Sequence, residues 1–586
     1  MHNSRKTILK SALVGVFILV AIINVSCGQS KTDKAAKIDK LVSTFAEYGR
    51  FNGSVLVAEK GEVVFKKGFG LANMEWDIPN QADTKHRLGS ITKQFTSMLV
   101  LQLVQEGKLK LDVPITTYLP GYPKKNGDII TLHHLLTHTS GIPDYTSFPD
   151  FFKDKSRDPI IPAEFINLFA ASALDFKPGE RFQYSNSGYF LLGVIIEKVT
   201  GKTYEQVLQE NILTPIKMAN TGYDHHNTLL KNRASGYEKI GRTYTNANYL
   251  EMSVPFSAGA LYSTVEDLYL WDQALYTEKL LSKKYMDLLF GKYVSEGRDY
   301  YGYGWFIGEI RIGNTNEQSQ TIFHGGGING FNTLITRIPA DKSFIVLLNN
   351  TGGAPLGEMT MAINGILHDR PYNFPKKSVA FSVLDIMEKD GITAALSHYK
   401  QIRDSGNYRL NESEMNQAGY QLLQSNKAKE AAAMFKLNVE AFPTSFNVYD
   451  SYGEALLALG NKKEAIENYL KSVQLNPGSE SGMKALKEAG VNTDTLVIKV
   501  SIEHLKLLEG DYLATNRSGS NEWKIKIREV KGELTGNDGG YQYRLIPVGN
   551  DKFINPDDGA SLVFDTSDKD AVKFVIFGTT EFRKVK

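Results

Sequence analysis

The chain has 586 residues, 42% hydrophobic and 23% charged, an ordinary balance for folded globular protein; its length points to about three or four domains rather than one core. Lys+Arg number 67 against 65 Asp+Glu, a net charge of +2 that gives no basis for nucleic-acid binding. A single cysteine, Cys27, excludes a disulfide within the chain.

At the N-terminus, Arg5, Lys6 and Lys10 precede the apolar run "SALVGVFILVAIINV", and "SCGQSKTDK" follows. This is the charged, apolar, small-residue order of an export signal. The place of Cys27, just after Ser26, resembles the lipidated cysteine of bacterial lipoproteins, although Asn24 stands where leucine is usual. That resemblance implies a signal peptide over residues 1–27 and a mature chain tethered to membrane by lipid at Cys27. It also implies a place in the bacterial cell envelope, facing the periplasm or the surface. A plain signal peptide with an incidental cysteine, or an uncleaved anchor, are the alternatives. Residues 28–37 read as a linker.

"GSVLVAEKGEVVFKKGFG" (53–70) predicts a hairpin turning at Lys60-Gly61. The apolar spacing of Met98, Leu101, Leu103, Val104 and Leu109 predicts a buried helix that begins near Ser90. From about 90 to 290 the pattern is mainly helical, broken by loops such as "LPGYPKKNGD" and "SRDPIIP". Strand signals return in "YGYGWFIGEI", "QTIFHGGG", "FNTLITRI" and "KSFIVLLNN". The compact solution joins both ends in one antiparallel sheet with helices packed on it and a helical lobe beside it. "HDRPYNFPKK" (368–377) reads as a linker.

Beyond it, "NQAGYQLLQSNKAKEAAAMFKLNVEAFP" is echoed by "DSYGEALLALGNKKEAIENYLKSVQLNP". Gly419 and Gly453, Leu422 and Leu456, Ala431 and Ala465, Phe435 and Tyr469, and Pro443 and Pro477 correspond at a spacing of 34 residues. That period and residue order resemble the tetratricopeptide repeat. The repeats, 378–490, offer a surface for a protein partner and are too few to stand alone. From 498 to 586, "WKIKIREV", "YRLIPV", "SLVFD" and "AVKFVIF" predict a small antiparallel barrel or sandwich.

Ser-x-x-Lys occurs at Ser90/Lys93, Ser397/Lys400 and Ser481/Lys484. Residues three apart share a helix face, so each pair can set a hydroxyl beside an amine. The second and third lie in the repeat region without any other catalytic signal and read as solvated faces. Serine acyl transfer also needs a base and donors for the oxyanion. Tyr-x-Asn occurs at Tyr184/Asn186, between a Pro-Gly turn and an apolar helix, and at Tyr244/Asn246 in a polar stretch. A strand then reaches His324 and ends in Gly325, Gly326 and Gly327, where backbone can approach a ligand closely.

In their order, "LGSITKQFT", "LHHLLTHTSGIPDY", "FKPGERFQYSNSGYFLLGVIIEKVTG", "SAGALYSTVEDLYLW" and "FHGGGINGF" resemble the penicillin-binding, class C β-lactamase-like serine hydrolases. The resemblance covers about residues 40–365, within a domain set at 38–367. It implies an α/β (α+β) β-lactamase/transpeptidase-like fold with an antiparallel sheet and a helical lobe. It implies Ser90 as acylated nucleophile, Lys93 and Tyr184 as the base system, and Asn186, His324, Gly325 and Gly326 as substrate-binding. The N–H groups of Ser90 and Gly327 would form the oxyanion hole. True β-lactamases of this class usually carry lysine where His324 stands; members with histidine are often esterases or peptidases. No cofactor is implied. His133, His134 and His138 lack an HExxH frame and match a structural segment of the family, so no metal is assigned to them.

The leading expectation is a serine hydrolase forming an acyl-enzyme on a small-molecule or peptide substrate: an ester, an amide or a D-amino-acid peptide. A β-lactamase or DD-peptidase of cell-wall metabolism is the first alternative. A catalytically retired interaction protein using the repeats is the second.

Overall fold

A computed structural model describes residues 31–493, 496, 498–515, 523–538, 542–556, 559–569, 571–576 and 578–585. Cys27 and the export signal lie outside the described residues. The chain divides into two compact units between Pro375 and Lys376.

In the first unit, eight strands form one antiparallel sheet. They are β1 (Gly53–Glu59), β2 (Glu62–Phe69), β3 (Val294–Glu296), β4 (Asp299–Tyr301), β5 (Phe306–Arg311), β6 (Gln318–Ile328), β7 (Phe331–Ile338) and β8 (Ser343–Asn349), in spatial order β3-β4-β5-β6-β7-β8-β1-β2. The two ends of the unit meet where β1 pairs with β8, Gly53 opposite Asn349 and Ala58 opposite Phe344. Because side chains alternate along a strand, β1 serves two cores. Val55 and Val57 join Ile345, Leu347 and Ile363 on one face; Leu56 and Ala58 join Phe344, Val346 and Leu348 on the other.

The first of these cores corrects the sequence reading of 28–37 as linker. Its described part, from residue 31, belongs to a helix that runs to residue 47. Ile38, Leu41, Val42 and Phe45, at helical spacing, bury one face against the sheet. Lys34 is also buried there, donating to Glu59 Oε1 at 2.8 Å and to the Leu367 carbonyl at 2.5 Å.

The second core contains the helix Thr92–Gln105, which is buried on every side from Thr92 to Leu103. It starts at Thr92, two residues after the start near Ser90 that the sequence predicts, and ends before Gly107, whose φ of +74° suits a left-handed turn. Leu109 is buried beyond the helix rather than in it. Phe95 stacks on Trp271 at 4.4 Å, and the Trp271 indole N–H donates to Gln94 Oε1 at 3.0 Å. A helix enclosed this way cannot shift, so what it carries at its N-terminus is held rigidly.

The second unit begins with helices. Glu412–Gln424 and Phe446–Ala458 start 34 residues apart, as do Ala428–Ala441 and Lys462–Leu475. The period is a packing rule. A Cβ on Gly419 would lie 2.4 Å from the Phe435 ring and one on Gly453 would lie 3.0 Å from Tyr469, so the same small-against-aromatic contact recurs. Ser397, Lys400, Ser481 and Lys484 are all exposed here. The C-terminal strands, from Gly510–Ala514 to Thr580–Lys584, close into an eight-stranded antiparallel barrel in which Tyr512 of the first pairs with Lys584 of the last. Of the barrel and the sandwich that the sequence allowed, the barrel forms.

Candidate active site

The site begins with a turn. Gly89–Ile91 forms one 3-10 turn that feeds the buried helix. Gly89 has φ +54°, which glycine adopts without strain. Absence of a Cβ is needed there as well, since one on Gly89 would lie 2.9 Å from the Gly327 nitrogen. On β6, a Cβ on Gly326 would lie 1.9 Å from the Leu88 carbonyl oxygen. Thr333, opposite Gly326 on β7, clips the same carbonyl with a 2.8 Å hydrogen bond. Two glycines thus let strand β6 press against the Ser90 turn, with Gly327 and Ser90 lining one cavity of about 170 Å³. The first N–H groups of a helical turn have no intrahelical partner, which leaves the Ser90 N–H open to a ligand.

Lys93 sits one turn on from Ser90 and is fully buried. Its Nζ lies 2.9 Å from Ser90 Oγ, 2.9 Å from Asn186 Oδ1 and 2.9 Å from the Ala258 carbonyl. The last two can only accept. In the neutral amine they take two N–H donors, and the remaining lone pair points at the Ser90 hydroxyl. Burial pulls the Lys93 pKa down to about 7, with Asp144 acting in the opposite sense.

Asp144 went unnoticed in the sequence, although it stands in the quoted "TSGIPDY" segment. Its Oδ2 accepts from Asn186 Nδ2 at 3.0 Å, which fixes the amide with Oδ1 toward Lys93. Its Oδ1 caps the Tyr145–Ser147 turn through the Thr146 N–H. The Ala258 carbonyl, a backbone group, has no sequence signal at all.

Tyr184 lies two residues before the helix Asn186–Thr200. Its hydroxyl is buried and completes no hydrogen bond of ordinary geometry, yet it is near enough to Ser90 for that hydroxyl to offset part of the burial cost. Burial raises its pKa, so Tyr184 is held as the phenol. Lys93 Nζ lies 4.8 Å from the Tyr184 ring centre and 5.6 Å from that of Tyr189.

The fold brings Ser90, Lys93, Tyr184, Asn186 and Gly327 together. The His324 side chain, expected with Gly325 and Gly326 to bind substrate, is turned into the interior instead. None of the three lines the cavity, and His324 is 2% exposed. The reason is a buried chain of hydrogen bonds. The Ser185 N–H donates to His138 Nδ1 at 3.1 Å. His138 Nε2–H then donates to Tyr301 at 3.2 Å, and the Tyr301 hydroxyl donates to His324 Nε2 at 3.1 Å. His324 Nδ1–H ends on the Gly325 carbonyl at 2.6 Å. One neutral arrangement satisfies all four bonds. Burial accordingly pushes the His324 pKa down to about 3. The neutral His324 ring lies 6.3 Å from that of Tyr184, tilted against it, and offers no cation to substrate.

The other histidines of the sequence cluster part company: His133 meets the Tyr303 hydroxyl at 2.9 Å and His134 caps its own helix through Thr131. Tyr244 and Asn246 lie on an exposed hairpin, Tyr237–Ile240 with Thr243–Asn246, away from the nucleophile's cavity. Opposite the polar cluster, Tyr145, Phe151, Phe152, Leu250, Val254 and Ile328 give the cavity an apolar wall.

Residues 38–367 match the family described as Beta-lactamase. Among similar proteins is Penicillin-binding protein 4* of Bacillus subtilis (strain 168), 29% identical over 435 residues, 71% of this chain and 91% of that protein. Putative penicillin-binding protein PbpX of the same organism is 30% identical over 336 residues, 57% of this chain and 80% of that protein. Among solved structures, a D-amino acid amidase from Ochrobactrum anthropi SV3, complexed with L-phenylalanine amide, aligns at a TM-score of 0.50 and 25% identity, covering 57% of this chain and 98% of that one.

Proposed function

This chain belongs to the Beta-lactamase family and is a serine hydrolase acting on ester, amide or peptide bonds, and from that premise we propose the roles of its residues. Ser90 Oγ attacks the substrate carbonyl carbon while its proton passes to neutral Lys93. The oxygen that becomes negative is met by the N–H groups of Ser90 and Gly327. The carbonyl–leaving-group bond then breaks; the leaving group takes a proton from the Tyr184 hydroxyl, and the proton that Lys93 gained from Ser90 replaces it on Tyr184, so that Lys93 is neutral again. Water repeats the sequence on the acyl-enzyme, with the proton again going to Lys93. Asn186 and Asp144 position Lys93.

The observation that carries this reading is the pair of acceptor-only partners on Lys93, which aim its lone pair at Ser90. Lys93 rather than Tyr184 is the first base, because burial lowers an amine's pKa and raises a phenol's. The apolar wall suits a hydrophobic acyl group, in line with a solved relative that holds phenylalanine amide. A neutral His324 leaves the penicillin carboxylate without a cation at that position, so activated esters and amides are the preferred substrates and β-lactams poor ones.

The pH profile tests the base. A general base works only unprotonated, so kcat/KM for a neutral ester should fall about tenfold per pH unit below pH 7 and level off above it. Asp144→Asn removes the charge that raises the Lys93 pKa and should move that limb to lower pH. A limb at ordinary lysine values, or one that Asp144→Asn leaves in place, removes Lys93 from the role.

Three further features belong to the same proposal. The hydrolase domain spans 38–367, preceded by the first turns of its N-terminal helix from residue 31, and is joined through 368–377 to tetratricopeptide-like repeats over 378–490 and a C-terminal β domain over 498–586. The shared small-against-aromatic contact supports the repeat identity, and the repeats present a surface to a protein partner. Among the described residues no helix is long and apolar enough to cross a membrane. The chain is exported to the cell envelope and tethered by lipid at Cys27. Cys27→Ala should move the protein from the detergent phase to the aqueous phase on phase partitioning. Identical partitioning of both forms would exclude the tether.

A further inference from the structure

A second cavity, of about 420 Å³, adjoins the first, and Leu250 and Asn329 line both. The two cavities are therefore neighbours, with these two residues at their common boundary. Two arginines, Arg87 and Arg233, line the second. Both are held by Asp224, a buried carboxylate 1% exposed. Arg87 Nε donates to Oδ2 at 2.7 Å, and Arg233 Nη1 donates to Oδ1 at 2.7 Å.

Two cations share one carboxylate, so the cluster keeps one surplus positive charge. Both carboxylate oxygens are engaged, yet most guanidinium donors are not. Among the described residues the Arg87 guanidinium makes no other hydrogen bond, and that of Arg233 makes only a long one, 3.4 Å, to the His225 carbonyl. Each guanidinium has five N–H donors in a fixed fork that matches a carboxylate, and Asp224 has already oriented it. The side chains are 13% and 26% exposed, which weakens solvent screening without closing access. The nearby carboxylates are engaged elsewhere and do not line the cavity: Glu251 with Tyr249 and Ser253, Glu238 with the Gly330 N–H, and Glu75 with Tyr237. Arg87 also lies on the short strand that runs into the nucleophile turn, three residues before Ser90. Asn246, the second Tyr-x-Asn asparagine, lines this cavity and not the first.

We infer that this cavity is an anion subsite of the enzyme: its preferred substrates carry a carboxylate several bonds from the scissile carbonyl, held by Arg87 and Arg233. The inference rests on the reading of Ser90 as nucleophile. It places carboxylate recognition in a cavity that the buried His324 does not line.

The test uses the full chain and two matched ester pairs. One pair carries the charge on the acyl part: mono-4-nitrophenyl suberate against its methyl-capped diester. The other carries it on the alcohol: 4-carboxyphenyl hexanoate against the 4-methoxycarbonylphenyl ester. For at least one pair, kcat/KM should favour the free carboxylate by about tenfold at low ionic strength, as a charge-assisted hydrogen bond to a guanidinium allows. Salt should erode that preference, and Arg233→Gln should lower the ratio by about tenfold. Ratios that neither salt nor Arg233→Gln changes overturn the inference, while the salt series on the unmutated enzyme decides the matter if the variant does not fold. Failure of both neutral esters to acylate Ser90 would instead overturn the nucleophile assignment.

Discussion

Ser90→Ala is expected to abolish covalent labelling by a fluorophosphonate or a slow ester, and Lys93→Met to slow acylation by about a thousandfold, within the range for loss of a positioned base. The two variants separate nucleophile from base. Intact-mass spectrometry should find one acyl adduct on the unmutated chain, none on Ser90→Ala, and a slow one on Lys93→Met. An adduct on any other residue would sink the mechanism. Lys93→Met carries a second signature. Its folded pKa, about 7, lies below that of a lysine in an unfolded chain. Below pH 7 both states are protonated, and the folded state bears the full cost of burying the charge. As pH rises from 7 through the ordinary lysine range, the folded chain has already shed its proton and the cost disappears. Lys93→Met should therefore raise the melting temperature most at pH 6 and progressively less toward pH 10, while lowering activity throughout. A gain independent of pH would show that Lys93 is not buried as a reluctant cation.

Gly326→Ala should lower kcat/KM by about a hundredfold or more, the size of effect expected when an oxyanion donor is displaced. No side chain that touches substrate is altered. The added Cβ would lie 1.9 Å from the Leu88 carbonyl oxygen and 2.4 Å from Thr333 Oγ1, so β6 must back away from the Ser90 turn. The melting temperature should fall with it, because the Thr333–Leu88 hydrogen bond is lost in the same movement. Gly327→Ala is the control: a Cβ there meets nothing within 4 Å. It should keep the melting temperature and alter only substrates that crowd the cavity. Acylation by Gly326→Ala at the unmutated rate would mean that the strand's close approach is not needed for the oxyanion site.

Much of this architecture is legible in the sequence because it rests on local, periodic signals. The short apolar, β-branched run in "GSVLVAE" predicts β1, and the hairpin follows from Lys60-Gly61. Ser90 and Lys93 meet because three residues make one turn. The sheet's closure, β1 against β8, follows from strands at both ends of a helical middle that must share a core. The segment before residue 38 misleads because its first turns are polar and rich in lysine, while the apolar face that makes it a helix begins only at Ile38.

The sequence by itself determined the nucleophile turn, the helical period of 34 residues, the strand-rich C-terminal segment and the family to which the catalytic unit belongs. Each is encoded in neighbours along the chain. Tertiary structure alone decided the rest. Lys93 draws its acceptors from Asn186 and Ala258, 93 and 165 residues away. His324 faces Tyr301 and a chain of bonds running back to Ser185. Arg87 and Arg233 share a carboxylate that neither adjoins. A hydrogen bond or an ion pair acts over about 3 Å of space, and residue spacing places groups to that accuracy only within one turn or one strand pair. Beyond that, the folded core sets which polar groups meet, and with them the protonation state on which the chemistry depends.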